Sequence, residues 1–140
     1  MAGPFSYMLT PSAGSRLEGW TAYRGSKFHI QYAYGSGGSC PAKDFYDSLD
    51  RSDQAKVMAL FKWMGDHGNI RNEEKFKKVQ GRLFEFKSFR IRIICAFQPG
   101  GRLLLLRGVL KKKDRHDRAD IEAAERTLRE HLDYVRRQAQ

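Results

Sequence analysis

Arginine and lysine at alternating positions of a strand can do one thing well: hold phosphate. Arg82, Lys87, Arg90, Arg92 and Arg107 are followed by the run Lys111-Lys112-Lys113 in a segment poor in carboxylates. Side chains alternate across a strand, so Arg90 and Arg92 are expected to share one face while Ile91, Ile93 and Cys95 take the other. Charged side chains on a sheet face are tolerated only where that face meets water or an anion. Hairpin pairing would gather Lys87, Arg90, Arg92, Arg107 and the lysine run into one basic concavity. Each cation taken singly is as well explained by a solvated surface position; the cluster is less easily explained that way.

A cleft of this composition suits cleavage of RNA by its own 2′-hydroxyl, a group that DNA lacks. Negative charge builds on the phosphate oxygens, and one preorganised donor can be worth about 3–4 kcal/mol there. A lysine crowded by other cations has a lowered pKa and can accept a proton near neutrality, whereas arginine clamps phosphate through two N–H groups. The chemistry asks for no metal and no cofactor. His29, His67, His116 and His131 are scattered without ligand spacing. His116, beside the lysine run, is the one histidine to consider as a proton carrier, with an exposed loop position the simpler account. Cys95 reads as a small buried residue rather than a nucleophile. Gly35-Ser36-Gly37-Gly38-Ser39 lacks the Lys-Ser/Thr ending of a phosphate loop and is read as a connection.

The placement of charge narrows the partners. The chain has 140 residues and a net charge of +10. Arg71 to Arg118 contains 15 basic and 5 acidic side chains, so the whole surplus lies in that stretch. Clustered positive charge is a footprint for a polyanion: nucleic acid, an acidic protein or an anionic membrane. Two distant cysteines make neither a disulfide framework nor a zinc site, and no run approaches the roughly 20 apolar residues of a membrane span. Met1 to Thr10 lacks the pattern of a secretory signal, and a reducing cytoplasm is the expected location.

The elements that must position these residues follow from periodicity. Residues 1–19 read as an irregular tail and 20–140 as one domain. From Trp20 to Tyr34 the aromatics Trp20, Tyr23, Phe28, Tyr32 and Tyr34, with Phe28, Ile30, Tyr32 and Tyr34 alternating with other residues, read as a strand. Pro41 opens a helix carrying Ala42, Phe45, Tyr46 and Leu49, and Ser52 is placed to cap a second with Val57, Leu60, Phe61 and Met64 on one stripe. Arg82–Lys87, Phe89–Phe97 and Arg102–Leu110 read as an antiparallel meander. Asp117 caps a last helix with Ile121, Ala124, Leu128, Leu132 and Val135 buried, and Glu122–Arg126 and Glu125–Arg129 as surface pairs. The expected class is α+β: a mostly antiparallel sheet, a helical hairpin on one face, and a C-terminal helix.

From Phe45 to about Tyr134 the chain resembles the RelE/HigB-like toxins of type II toxin–antitoxin systems, in their phage-derived branch. The resemblance rests on Leu83-Phe84-Glu85-Phe86-Lys87, Phe89-Arg90-Ile91-Arg92-Ile93, Leu104-Leu105-Leu106-Arg107-Gly108-Val109-Leu110-Lys111-Lys112 and Asp120-Ile121-Glu122-Ala123-Ala124-Glu125-Arg126, in that order. It implies a compact RelE-like domain that cuts mRNA, on the ribosome or free, and so inhibits translation. The implied partners are mRNA, the ribosome and a cognate antitoxin, often a helix-turn-helix protein. The family's strand arginine falls on Arg90 and its paired basic residues on Lys111 and Lys112, the implied catalytic set. Arg82, Lys87, Arg92, Arg107 and Lys113 then serve as RNA contacts. Two departures stand out. Ile121 occupies a position comparable to an aromatic or histidine acid–base of some members, with His131 and Tyr134 only distant substitutes, and residues 1 to about 25 extend beyond the compact domain. The alternative is a non-enzymatic binder of the same fold, either a gyrase-inhibiting toxin or a phage nucleic-acid-binding accessory protein.

Overall fold

The computed structural model describes residues 20–111 and 116–139. The tail at 1–19, and with it any role for those residues, lies outside them. Six strands form one sheet: β1 (Trp20–Arg24), β2 (His29–Tyr32), β3 (Phe76–Gln80), β4 (Leu83–Ser88), β5 (Ile91–Gln98) and β6 (Arg102–Leu110). Helix α1 (Pro41–Ser48) and α2 (Arg51–His67) follow β2, and α3 (Arg118–Gln138) closes the chain. The order across the sheet is β1-β2-β6-β5-β4-β3. Only β2 and β6 run parallel; the other neighbours are antiparallel. The class is α+β, and the meander β4-β5-β6 falls where periodicity places it.

Strand alternation divides the core in two. Ile91, Ile93, Cys95, Leu103 and Leu105 meet Val57, Phe61 and Met64 of α2 and Ala42 of α1. Ile94, Ala96, Leu104 and Leu106 point the other way, onto Ala124 and Leu128 of α3. The second face is therefore covered by the C-terminal helix, whereas an open basic concavity requires it to be uncovered. Gly108 lies where α1 presses closest: a Cβ there would sit 2.1 Å from the Phe45 ring.

Other local expectations change as well. The aromatic segment after residue 20 is a hairpin of two strands, and β3 adds an edge that periodicity misses. Asp50, not Ser52, caps α2, accepting from the Asp53 N–H at 2.8 Å. Gly68 ends that helix in the left-handed conformation that glycine adopts without penalty. The buried stripe of α3 is Ala123, Ala124, Thr127, Leu128 and His131, with Leu132 left exposed. Glu125 pairs with Arg82 at 3.3 Å rather than with Arg129, and Glu122 is met by Arg118 at 3.7 Å. Among the described residues no helix is long and apolar enough to cross a membrane.

Candidate functional site

Register places two charged side chains beneath α3. Glu85 of β4 and Arg107 of β6 both stand opposite Ile94 of β5, so the row Glu85-Ile94-Arg107 shares the face that α3 covers. The next row is Lys87-Arg92-Val109. Lys111 leaves the sheet just beyond, and His116 and Asp117 lead into α3.

These groups form a chain of charge. His116 donates from Nε2 to Glu85 Oε1 at 2.5 Å, and both side chains are buried. Arg92 Nε stands 3.9 Å from the same carboxylate oxygen. On the other side, His116 Nδ1 is 4.0 Å from Asp120 Oδ2. Asp120 also receives Lys111 Nζ at 2.5 Å and Arg107 Nε at 3.7 Å, while Asp117 meets Lys111 at 3.4 Å. Burial works to raise the Asp120 carboxyl, but the Lys111 hydrogen bond and the surrounding positive charge outweigh it and hold the group below its ordinary range. The same hydrogen bond raises the Lys111 ammonium above its ordinary value. Lys111 is thus a committed cation, the reverse of the lowered pKa a proton-accepting lysine needs.

Above the buried pair opens a groove of about 1070 Å³ between β3 and α3. Lys77 and Lys78 line it from the strand, and Arg118, Arg126 and Arg129 from the helix; Glu122 and Glu125 also reach it, and Glu85 and His116 lie at its floor. Among the described residues Glu85 Oε2 and His116 Nδ1 have no hydrogen-bond partner. The histidine is oriented through Nε2 by a carboxylate, and its Nδ1, itself buried and 4.0 Å from Asp120, lies beneath a cation-rimmed groove; an imidazole held this way is of the type that carries protons in acid–base chemistry.

The sequence candidates separate accordingly. Arg90 lies outside β5, in the turn before it, and is exposed rather than sharing a strand face with Arg92. Arg92 is buried, donating to the Phe89 and Ile91 carbonyls at 2.5 and 3.0 Å. Arg107 and Lys111 are engaged by Asp120, and Arg82 by Glu125. Lys87 reaches the Glu73 carbonyl at 3.5 Å. Lys112 and Lys113 lie outside the described residues. The open concavity is therefore replaced by an internal ion network, because α3 brings Asp117 and Asp120 onto the cations. His116 is buried rather than a loop residue in solvent. Lys77 and Lys78 carry no sequence signal beyond charge, and the groove is formed only when α3 packs back over the sheet. Burial pushes the Cys95 thiol well up and the Cys40 thiol up to about 12, so neither is an activated nucleophile.

Fold and site together define a small basic α+β domain with a buried histidine–glutamate pair under a cation-lined groove. The model of the phage-derived Gp49-like protein family (DUF891) matches residues 44–129, more than half of the chain, and the chain belongs to that family. The match spans α2, β3 to β6 and the first half of α3, and so holds every residue of the ion network. No curated protein matches the chain.

Proposed function

We propose that this protein is the toxin of a toxin–antitoxin pair and acts on RNA as a metal-independent endoribonuclease. Membership of the Gp49-like family, associated with RelE-like toxins, supports the toxin class. The observation that carries the chemistry is the His116–Glu85 contact beneath the groove. In this reading the RNA backbone lies along Lys77, Lys78, Arg118, Arg126 and Arg129. His116 moves the proton of the attacking 2′-hydroxyl or of the leaving 5′-oxygen, and Glu85 fixes the imidazole's orientation. Arg90, Lys112 and Lys113 add phosphate contacts from the turn before β5 and from the segment before His116. Lys111 and Arg107 act by holding Asp120, and hence the start of α3, in place. Preorganised cations stabilise the charge that develops on phosphate, and the products are a 2′,3′-cyclic phosphate and a 5′-hydroxyl.

The test is induced expression in a bacterial host, with growth followed and 5′-hydroxyl RNA ends mapped with and without translation. Wild type arrests growth and generates new ends; His116→Ala, with an unchanged thermal melt, does neither. Arrest and new ends that persist undiminished in His116→Ala refute the site. Arrest without any RNA ends, accompanied by gyrase inhibition, refutes the nuclease and leaves a protein-binding toxin. Co-expression of a helix-turn-helix protein encoded beside the gene relieves arrest if it is the antitoxin.

A further inference from the structure

We infer that Phe89 and the groove beside it form a nucleobase-stacking subsite for single-stranded RNA, an assignment that rests on the RNA-directed reading above. Phe89 is 78% exposed, more than any other large apolar residue described. It is also the one described non-glycine residue with positive φ, at +55°. That conformation is strained for a bulky L-residue and persists only where the surroundings enforce it.

The surroundings here are specific. Arg92, itself buried, donates to the Phe89 carbonyl at 2.5 Å and to that of Ile91 at 3.0 Å, clamping the turn from within. The Lys111 N–H donates to the Arg90 carbonyl at 2.7 Å and closes it from the other side. The fold therefore holds a large ring outward on a rigid pin. Lys56 stands over one face of the ring, and the rest is held out in water at the expense of backbone strain rather than folded onto the core, which points to a ligand with an apolar face.

Charge identifies that ligand. Phe89 borders a groove of about 540 Å³, floored in part by Ala59 and Leu60. This is within the roughly 300–1,000 Å³ of small-molecule sites. Lys56, Lys75 and Lys87 stand around it against one carboxylate, Glu74, and the exposed Arg90 follows Phe89 directly. Lys56 Nζ lies 4.7 Å from the ring centroid. An aromatic platform ringed by flexible cations is the arrangement that stacks a base while neutralising its flanking phosphates. Only an unpaired base offers a free face, so single strands are preferred over duplex. The subsite lies beside α2, while the His116 groove lies beside α3. Both open at edge strand β3, whose lead-in Lys75 lines one and whose Lys77 and Lys78 line the other.

The experiment measures binding of a 2′-O-methyl oligouridylate, which lacks the attacking hydroxyl and stays intact, to the full chain. The prediction is that Phe89→Ala and Phe89→Leu each weaken binding roughly 5- to 150-fold, the range for loss of one base stack. Phe89→Trp retains affinity, and its fluorescence is quenched by the oligonucleotide. Binding of the same sequence as a duplex does not depend on position 89. Thermal melts of the Leu and Trp variants matching wild type separate stacking from folding. If wild type binds the single strand and the Ala and Leu variants bind it equally well, the subsite is refuted while the RNA-directed reading stands. If those variants instead lose only the neighbouring antitoxin, Phe89 is a protein contact and the subsite is again refuted. If wild type binds no RNA, both fall.

Discussion

Acid sensitivity can be worked out from one side chain. His131 of α3 is 1% exposed; its Nδ1 accepts the Tyr34 N–H at 3.0 Å and its ring lies nearly parallel to that of Tyr34. Burial, and secondarily the positive charge of Arg102, lower its pKa from 6.5 to about 4. Protonation at Nδ1 would also remove the acceptor of the Tyr34 N–H. Above about pH 6.5 neither folded nor unfolded chain binds this proton. As pH falls from there towards 4 the unfolded chain takes it up and the folded chain does not, so stability declines through that window and levels off below it. At 1.36 kcal/mol per pKa unit the full decline is about 3 kcal/mol. Asp120, held below its ordinary value, contributes its own loss only at lower pH, below about 3.8. Urea unfolding of wild type and His131→Asn from about pH 7.5 to about pH 4.5 isolates the term, since asparagine keeps an acceptor and does not titrate. The wild-type curve should fall by about 2–3 kcal/mol more than the variant's. Parallel curves would refute the burial argument.

Further outcomes follow from the same geometry. Glu85→Gln keeps a hydrogen-bond acceptor for His116 but removes the charge that orients it, and should lower the rate of appearance of 5′-hydroxyl ends by about 10²-fold or more. A variant that folds and cuts at the wild-type rate would remove Glu85 from the site. Arg90→Ala changes an exposed turn residue, so its melt should match wild type while growth inhibition weakens; full inhibition in a combined Arg90/Lys112 alanine variant would exclude both as RNA contacts. Gly108→Ala forces a methyl into the Phe45 ring and should cost about 1–3 kcal/mol, measured by denaturant unfolding. Pairing it with Phe45→Leu should recover part of that loss, and no recovery would place the clash elsewhere.

Much of the fold was legible because burial imposes a period. The alternation of Ile91, Ile93 and Cys95 with Ile94 and Ala96 follows from a strand covered on both faces, and the stripe Val57, Phe61 and Met64 from a helix covered on one. Short strands with mixed composition gave no such signal. Lys77, Lys78 and Gln80 hide β3, because an edge strand buries little and leaves its side chains polar. Trp20–Arg24 and His29–Tyr32 read as one aromatic strand because Gly25, which turns the chain, lies inside a continuous polar and aromatic stretch.

What the sequence by itself determined was the inventory: a surplus of positive charge confined to one stretch, the strands that carry it, and a helix able to cover them. Which cations stay available was decided by tertiary structure. Strand parity can put Glu85 and Arg107 on one face, but only the return of α3, some ten residues further along the chain, brings His116 to Glu85 and Asp120 to Lys111 and Arg107. Ion pairing depends on distances of a few ångströms between groups remote in sequence, and no local period encodes those distances. The histidine that looked like loop became the floor of the groove for that reason, and the lysine that looked like a base became a strut.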